Sequence, residues 1–361
     1  DSDVRLLTHT LVWGCFAEPA DENYLLTLYQ KDPQDPDAPD SPYRLEAKTL
    51  VLATGAYDYP VPFPGWTLPG VITAGAGQIM VKSQRVRPGQ RVLLSGSGPL
   101  QLALAAQLVQ AGAEVVAVLE SSFSFGTALR HAPAMWGQWK RMAEGWDYAR
   151  TLVGAGVPYK LGWSVTEARG DGEVQEAVIA RLDPNGKPQA GTEQTLKVDL
   201  VVTGFGLLPN TAAARLVGCK HEYKPEAGAY VALRDDTMQT SMPDVYVIGD
   251  AGIIGGAEMG QLEGKIAGIA SAMRGGFMEE NKARALLANL KPSLKRQKRF
   301  ADFLQVAFAP GAGLPSLATE DTILCRCEEV TLGDVREAAA WGARSVTEIK
   351  AITRTGMGNC Q

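Results

Sequence analysis

Two short apolar strands that end in glycine, TLVLATG at 49–55 and DVYVIGDAG at 244–252, bracket a third unit of the same kind. Few folds accommodate that order. In the third unit Arg91–Ser95 reads as a buried strand, Gly96–Pro99 as a tight loop, Leu100–Ala111 as a helix and Glu114–Glu120 as a second strand. That succession is the βαβ unit of dinucleotide-binding domains. Its glycines let the backbone approach a pyrophosphate, and the following helix points its positive dipole end at the same group. The pattern predicts an α/β chain with two dinucleotide-binding, Rossmann-like domains, one interrupted by the other.

Around this frame, residues 4–13 and 24–30 alternate as strands about a turn at Glu18–Asn23, and 73–84 suits a helix. The acid- and proline-rich run 32–42 is a solvated loop. Residues 133–154 form a helix carrying Trp136, Trp139 and Trp146, a cluster that suits core or subunit interface better than a cofactor shield. Lys291–Arg299 is the basic face of a linker helix. A net charge of -5 over 361 residues, with no strongly basic segment, argues against nucleic acid and against an anionic membrane surface. Glycine, serine and glutamine interrupt the most apolar stretch, Val92–Leu119, so no membrane span is expected.

In GSGPLQ at 96–101, Gly96, Ser97, Gly98 and Pro99 are candidate nucleotide contacts, and Glu120 at the next strand end is placed to accept from a ribose diol. No arginine follows Glu120 within five residues, which favours NAD or another adenine nucleotide over NADP. Gln101 stands where the fingerprint has its third glycine, leaving open a domain that keeps the fold around a structural nucleotide, or none. The bracketing pair suits a flavin. Thr54 and Gly55 end one strand, Gly249 and Asp250 the other. Asp250 can accept from a ribitol hydroxyl, and a helix starting near Gly256, Ala257 and Glu258 aims its N–H groups at the flavin N1–C2=O edge.

Of five cysteines, Cys15 and Cys219 are isolated and read as buried small residues; no CxxC precedes residue 325. Cys325, Cys327 and Cys360 gather in a terminal module and are expected to ligate a [2Fe-2S] cluster, with reduced thiols or a zinc knuckle as the alternatives. Thr331–Asp334 matches a capping box before a helix to Ala340, Thr347 starts a second helix, and Gly356 and Gly358 permit a tight loop at Cys360. Three histidines far apart offer little to a histidine metal site or a serine-type triad. Asp1 without methionine, and an end at Gln361 just after a cysteine, suggest a fragment whose fourth cluster ligand lies beyond Gln361.

The first 280 residues or so resemble the two-dinucleotide-domain flavoproteins of the glutathione reductase type, which include thioredoxin reductase and ferredoxin reductases; the FAD fingerprint such chains carry at their start is missing here. The tail resembles the [2Fe-2S] module of bacterioferritin-associated ferredoxin. Together, PFPGWTLPGV (62–71), LLSGSGPLQLALAAQL (93–108), CRCEEVT (325–331) and TRTGMGNCQ (353–361) resemble the large FAD subunit of hydrogen cyanide synthase, opine oxidases and heteromeric proline or hydroxyproline dehydrogenases.

The resemblance implies an FAD domain in two parts, 1–85 and 210–280, a second nucleotide-binding domain at 86–209, a linker at 281–315 and a [2Fe-2S] module at 316–361. It also implies, as partner, an amino-acid-oxidase-like FAD β subunit, with a small additional subunit, in the cytoplasm or peripheral at the inner membrane. On that reading the chain passes electrons from a CH-NH or CH-NH2 donor oxidised on the partner, and holds cofactor ligands instead of a substrate acid or base. The competing expectations are a self-sufficient NAD(P)H-dependent reductase of the ferredoxin or nitrite reductase type, and a structural subunit keeping a nucleotide for stability alone.

Overall fold

The computed structural model describes residues 4–18, 23–32, 34–35, 41–122, 126, 130–225 and 228–358. The chain divides into two compact units, one of residues 1–57 and 208–302, the other of 58–207 and 303–361.

In the first unit the glycine-ended strands come together as a parallel pair, Leu50–Leu52 beside Val245–Val247, with Leu50 opposite Val245 and Leu52 opposite Val247. Val245 and Val247 pack into a core with Cys15, Tyr24, Leu50, Val217 and Ala251. Tyr246 points the other way, into a second cluster with Met238, Ile266, Ala267 and Ala270. Burial on both faces is why this strand reads as an unbroken apolar run. Helix Ala257–Arg274 follows, its inward stripe supplying Ile266, Ala267 and Ala270.

A three-stranded antiparallel sheet, Thr10–Glu18, Asn23–Gln30 and Ser41–Ala47, completes this part. Its first strand corrects the expected 4–13. Pairing of Thr10 with Gln30 and Glu18 with Asn23 selects the later segment, because period-two alternation alone has no fixed starting point. Most of the expected 281–315 linker lies in a 28-residue helix, Glu280–Ala307, which holds the basic residues of 291–299.

The second unit centres on a five-stranded parallel sheet in the order Val71–Thr73, Leu200–Gly204, Arg91–Gly96, Glu114–Glu120, Tyr159–Leu161. Alternate residues serve opposite faces. Leu94, Val118 and Val202 meet Ala74, Leu104, Leu108 and Leu152, which lie on helices Ala74–Lys82, Pro99–Gln110 and Trp139–Gly154. Leu93, Leu119 and Val201 meet Val165, Ala177 and Ile179 of an antiparallel sheet, Trp163–Arg169, Glu176–Arg181 and Gln194–Lys197. Each fully buried aliphatic side chain here contributes about 1.5–3 kcal/mol.

The tryptophan helix is shorter than the expected 133–154. A 3-10 turn at Ala132–Met135 precedes it, Gly137 has φ 81°, and the helix starts at Trp139. Trp136, Trp139 and Trp146 are exposed, so they are not core within this chain.

The terminal module joins a short antiparallel pair, Ile323–Cys325 with Val330–Thr331, to helices Leu332–Ala340 and Val346–Thr353. Thr331 Oγ1 accepts from Asp334 N at 3.2 Å, and Asp334 Oδ2 accepts from Thr331 N at 2.8 Å, which makes the expected capping box. The second helix is capped by the same device at Ser345 and Glu348, two residues before the expected start at Thr347.

Candidate cofactor sites

The flavin candidates of the first unit converge on the ends of its parallel strand pair. Thr54 Oγ1 donates to the Asn210 carbonyl at 2.8 Å, and the Gly55 carbonyl accepts from Asn210 N at 3.0 Å, pinning one strand end. At the other, Gly249 has φ 61°, a conformation costly for any side chain bearing Cβ. Asp250 Oδ1 accepts from Gly255 N at 2.9 Å and Gly256 N at 3.0 Å. Gly256 is the N-cap of helix Ala257–Arg274 and provides no side-chain cap, so the N–H groups of the first turn keep their capacity for a ligand. Glu258 lies in that turn, its Oε2 accepting from Gln297 Nε2 at 2.9 Å.

Sequence reasoning missed the groups that hold Gly249. Glu263, buried on helix Ala257–Arg274, accepts from Gly249 N at 2.7 Å. Arg234 meets the same carboxylate through both terminal nitrogens, each at 2.8 Å, and donates to the Val247 carbonyl at 2.8 Å. A glutamate on the apolar stripe of Met259, Ile266 and Ala270 was the available signal, since an inward-facing charge needs a partner.

In the second unit Gly96 and Gly98 flank Ser97 ahead of Pro99, which occupies the first helical position. Glu120, the expected ribose acceptor, ends strand Glu114–Glu120. It is buried, its Oε2 accepting from Gly98 N at 3.0 Å and its Oε1 from Ser122 N at 3.3 Å. Burial raises its carboxyl above the usual carboxylate range, opposed by the Gly98, Ser97, Ser122 and Tyr159 hydrogen bonds. Burial, together with Glu120, raises the Tyr159 phenol. Ser97 Oγ donates to the Phe308 carbonyl at 2.8 Å and accepts from Ser122 Oγ at 2.8 Å. Gln101 is buried, with neither amide atom hydrogen-bonded to protein.

In the module, Cys325 is buried and Cys327 exposed, their sulfurs 3.8 Å apart. Thiolate bonds of about 2.3 Å at one tetrahedral metal put two sulfurs roughly 3.8 Å apart, so this pair fits one iron. Gly356 N donates to Cys325 Sγ at 3.3 Å, and a Cβ on Gly358 would collide with Cys327 Sγ. Arg354, bonded to Glu328 at 2.8 Å, ties the loop after the last helix to the cysteine turn. Cys360, the third expected ligand, lies outside the described residues. Cys15 and Cys219 are buried, and burial pushes the Cys15 thiol up to about 11.

A glycine-gated parallel pair that leads into an uncapped helix, a second βαβ unit and a thiolate turn define a flavin-dependent oxidoreductase with an iron–sulfur module. Comparison with known proteins agrees. Residues 27–276 match the pyridine nucleotide-disulphide oxidoreductase family, and 323–361 the BFD-like [2Fe-2S] binding domain. The chain is 34% identical to the HcnB subunit of hydrogen cyanide synthase from Pseudomonas aeruginosa, over 88% of this chain and 68% of that protein. It is 32% identical to the A subunit of opine oxidase from Rhizobium meliloti, over 88% of this chain and 59% of the relative. An L-proline dehydrogenase from P. horikoshii shares the fold, with a TM-score of 0.63 and 21% identity over 98% of this chain and 56% of that one. The chain belongs to the pyridine nucleotide-disulphide oxidoreductase family, with HcnB and the opine oxidase polypeptide as homologues. It carries FAD and a [2Fe-2S] cluster as its cofactors. Among the described residues no helix is long and apolar enough to cross a membrane.

Proposed function

We propose that this chain is the electron-transferring subunit of a heteromeric amino-acid or amine dehydrogenase, taking electrons from a donor oxidised on an amino-acid-oxidase-like flavoprotein partner. The observation that carries the reading is a flavin half-site and a two-thiolate iron turn in one chain. FAD exchanges electrons in pairs or singly, and a [2Fe-2S] cluster carries them singly. Gly249, Asp250 and the first turn at Gly256–Glu258 hold the ribitol and N1 side of the flavin, with Thr54 and Gly55 beside them. Cys325, Cys327 and Cys360 bind the cluster. HcnB and its opine oxidase counterpart are each named as one subunit of an enzyme, which supports a partner for this chain.

NADH is not the electron source on this reading. Two donors of the second glycine loop are engaged, Gly98 N by Glu120 and Ser97 Oγ by the Phe308 carbonyl. Anaerobic addition of NADH to the flavin-loaded chain is expected to leave the flavin absorbance unchanged. Prompt bleaching would instead make it a self-sufficient reductase.

A further inference from the structure

The segment PFPGWTLPGV has no part in the flavin or nucleotide candidates, yet its backbone is hydrogen-bonded both within itself and to the neighbouring sheet. Trp66 N bonds to the Phe63 carbonyl, Leu68 N to Gly65 and Val71 N to Leu68, each at 3.0 Å. Its outer edges are tied to the antiparallel sheet region, Pro64 O accepting from Ala168 N at 2.9 Å and Pro69 O from Val174 N at 2.8 Å. Phe63 anchors it in the core. A loop so fixed makes a reference point.

What the loop presents is directed at the cysteine turn. Trp66 Nε1 donates to the Ile323 carbonyl at 2.6 Å, two residues before Cys325. Arg326, the residue between the two thiols, places its guanidinium 5.4 Å from the centre of the Trp66 ring and donates to the Thr67 carbonyl at 3.4 Å. A cation over an indole face and a hydrogen bond to its edge fix the ring and the turn relative to each other in two directions.

We propose that Trp66 is a positioning residue for the [2Fe-2S] cluster: it holds the Cys325–Cys327 turn against the 62–71 loop and keeps the Arg326 charge beside the iron site. The inference rests on the cluster reading of Cys325, Cys327 and Cys360. Arg326 brings a positive charge next to a group that becomes more negative on reduction, so it favours the reduced state. Trp66 acts through the turn and touches no ligand directly.

The test uses the full chain with its cluster reconstituted, in wild-type, W66F, W66A, R326K and R326Q forms. Iron and acid-labile sulfide should match wild type in each. In W66A, amide hydrogen exchange over residues 323–331 should rise about tenfold, the factor that corresponds to about 1.4 kcal/mol, and the EPR spectrum of the dithionite-reduced cluster should change. W66F, which keeps the ring and loses the N–H, should show a smaller rise in exchange. R326Q should move the cluster midpoint potential to a more negative value while R326K leaves it in place. If W66A does not take up a cluster, W66F decides. Loaded Trp66 variants with wild-type exchange and wild-type EPR would overturn the proposal and leave the cluster reading standing. A wild-type chain that takes up neither iron nor sulfide would end both.

Discussion

Glu120 shows how one side chain answers to its surroundings before any ligand arrives. Strand Glu114–Glu120 ends inside the sheet, and the carboxylate is satisfied by the Gly98 and Ser122 amides. Its folded pKa is raised, chiefly by burial. The folded state therefore holds the proton more tightly than the unfolded state does. The associated stability is full below the ordinary carboxylate pKa and is lost as pH rises through the folded value. Glu120→Gln removes that titration, so its melting temperature should gain on wild type as pH rises across this window, measured by circular dichroism melts; a constant difference would contradict it.

The cysteines separate on the same principle. At pH 8 a thiol with pKa about 11 is ionised on the order of one part in a thousand, so in the cluster-free chain iodoacetamide should modify exposed Cys327 well before Cys15 or Cys219. Peptide mass spectrometry reads the order, and equal rates for Cys15 and Cys327 would count against the burial.

Among the elements, helix Ala257–Arg274 does two jobs: it presents an open N-terminus and carries Glu263 back to Gly249. Removing Arg234 would leave the Glu263 carboxylate buried and without its cation. Arg234→Ala should cost about 3–5 kcal/mol in urea unfolding and weaken FAD retention. The double change Arg234→Met with Glu263→Leu should recover most of the stability but not the flavin, because Gly249 N then has no acceptor. Full flavin retention in the double variant would refute the role given to Glu263.

The legibility of these elements follows from burial. The strands at 91–96, 114–120, 200–204 and 245–247 are covered on both faces, and a continuous apolar run ending at glycine or an acid marks them in sequence. Strand Thr10–Glu18 leaves Leu11, Val12, Trp13 and Phe16 exposed, so its pattern could not set its limits. Pro133 and Gly137 were the visible warnings that the tryptophan helix starts late. The contact of Trp66 with Ile323 had no local signal at all, since nothing in either segment encodes a partner some 250 residues away.

At the scale of the molecule, the terminal iron module was readable because it rests on short motifs in a fixed order. What the order did not reveal is that the iron module groups with residues 58–207 in one compact unit. Two donors of the second glycine loop, Gly98 N and Ser97 Oγ, are taken up by Glu120 and Phe308, a feature no fingerprint encodes. The chain spans 59–69% of the lengths of its first relatives.

The most direct measurement is low-temperature EPR on the complex of this chain with the flavoprotein partner proposed for it, frozen after anaerobic addition of the amino acid or amine that partner would oxidise. The account predicts the signal of a reduced [2Fe-2S] cluster, absent when Cys325 and Cys327 are both serine. Substrate oxidation on the partner with no cluster signal in the wild-type complex would contradict it.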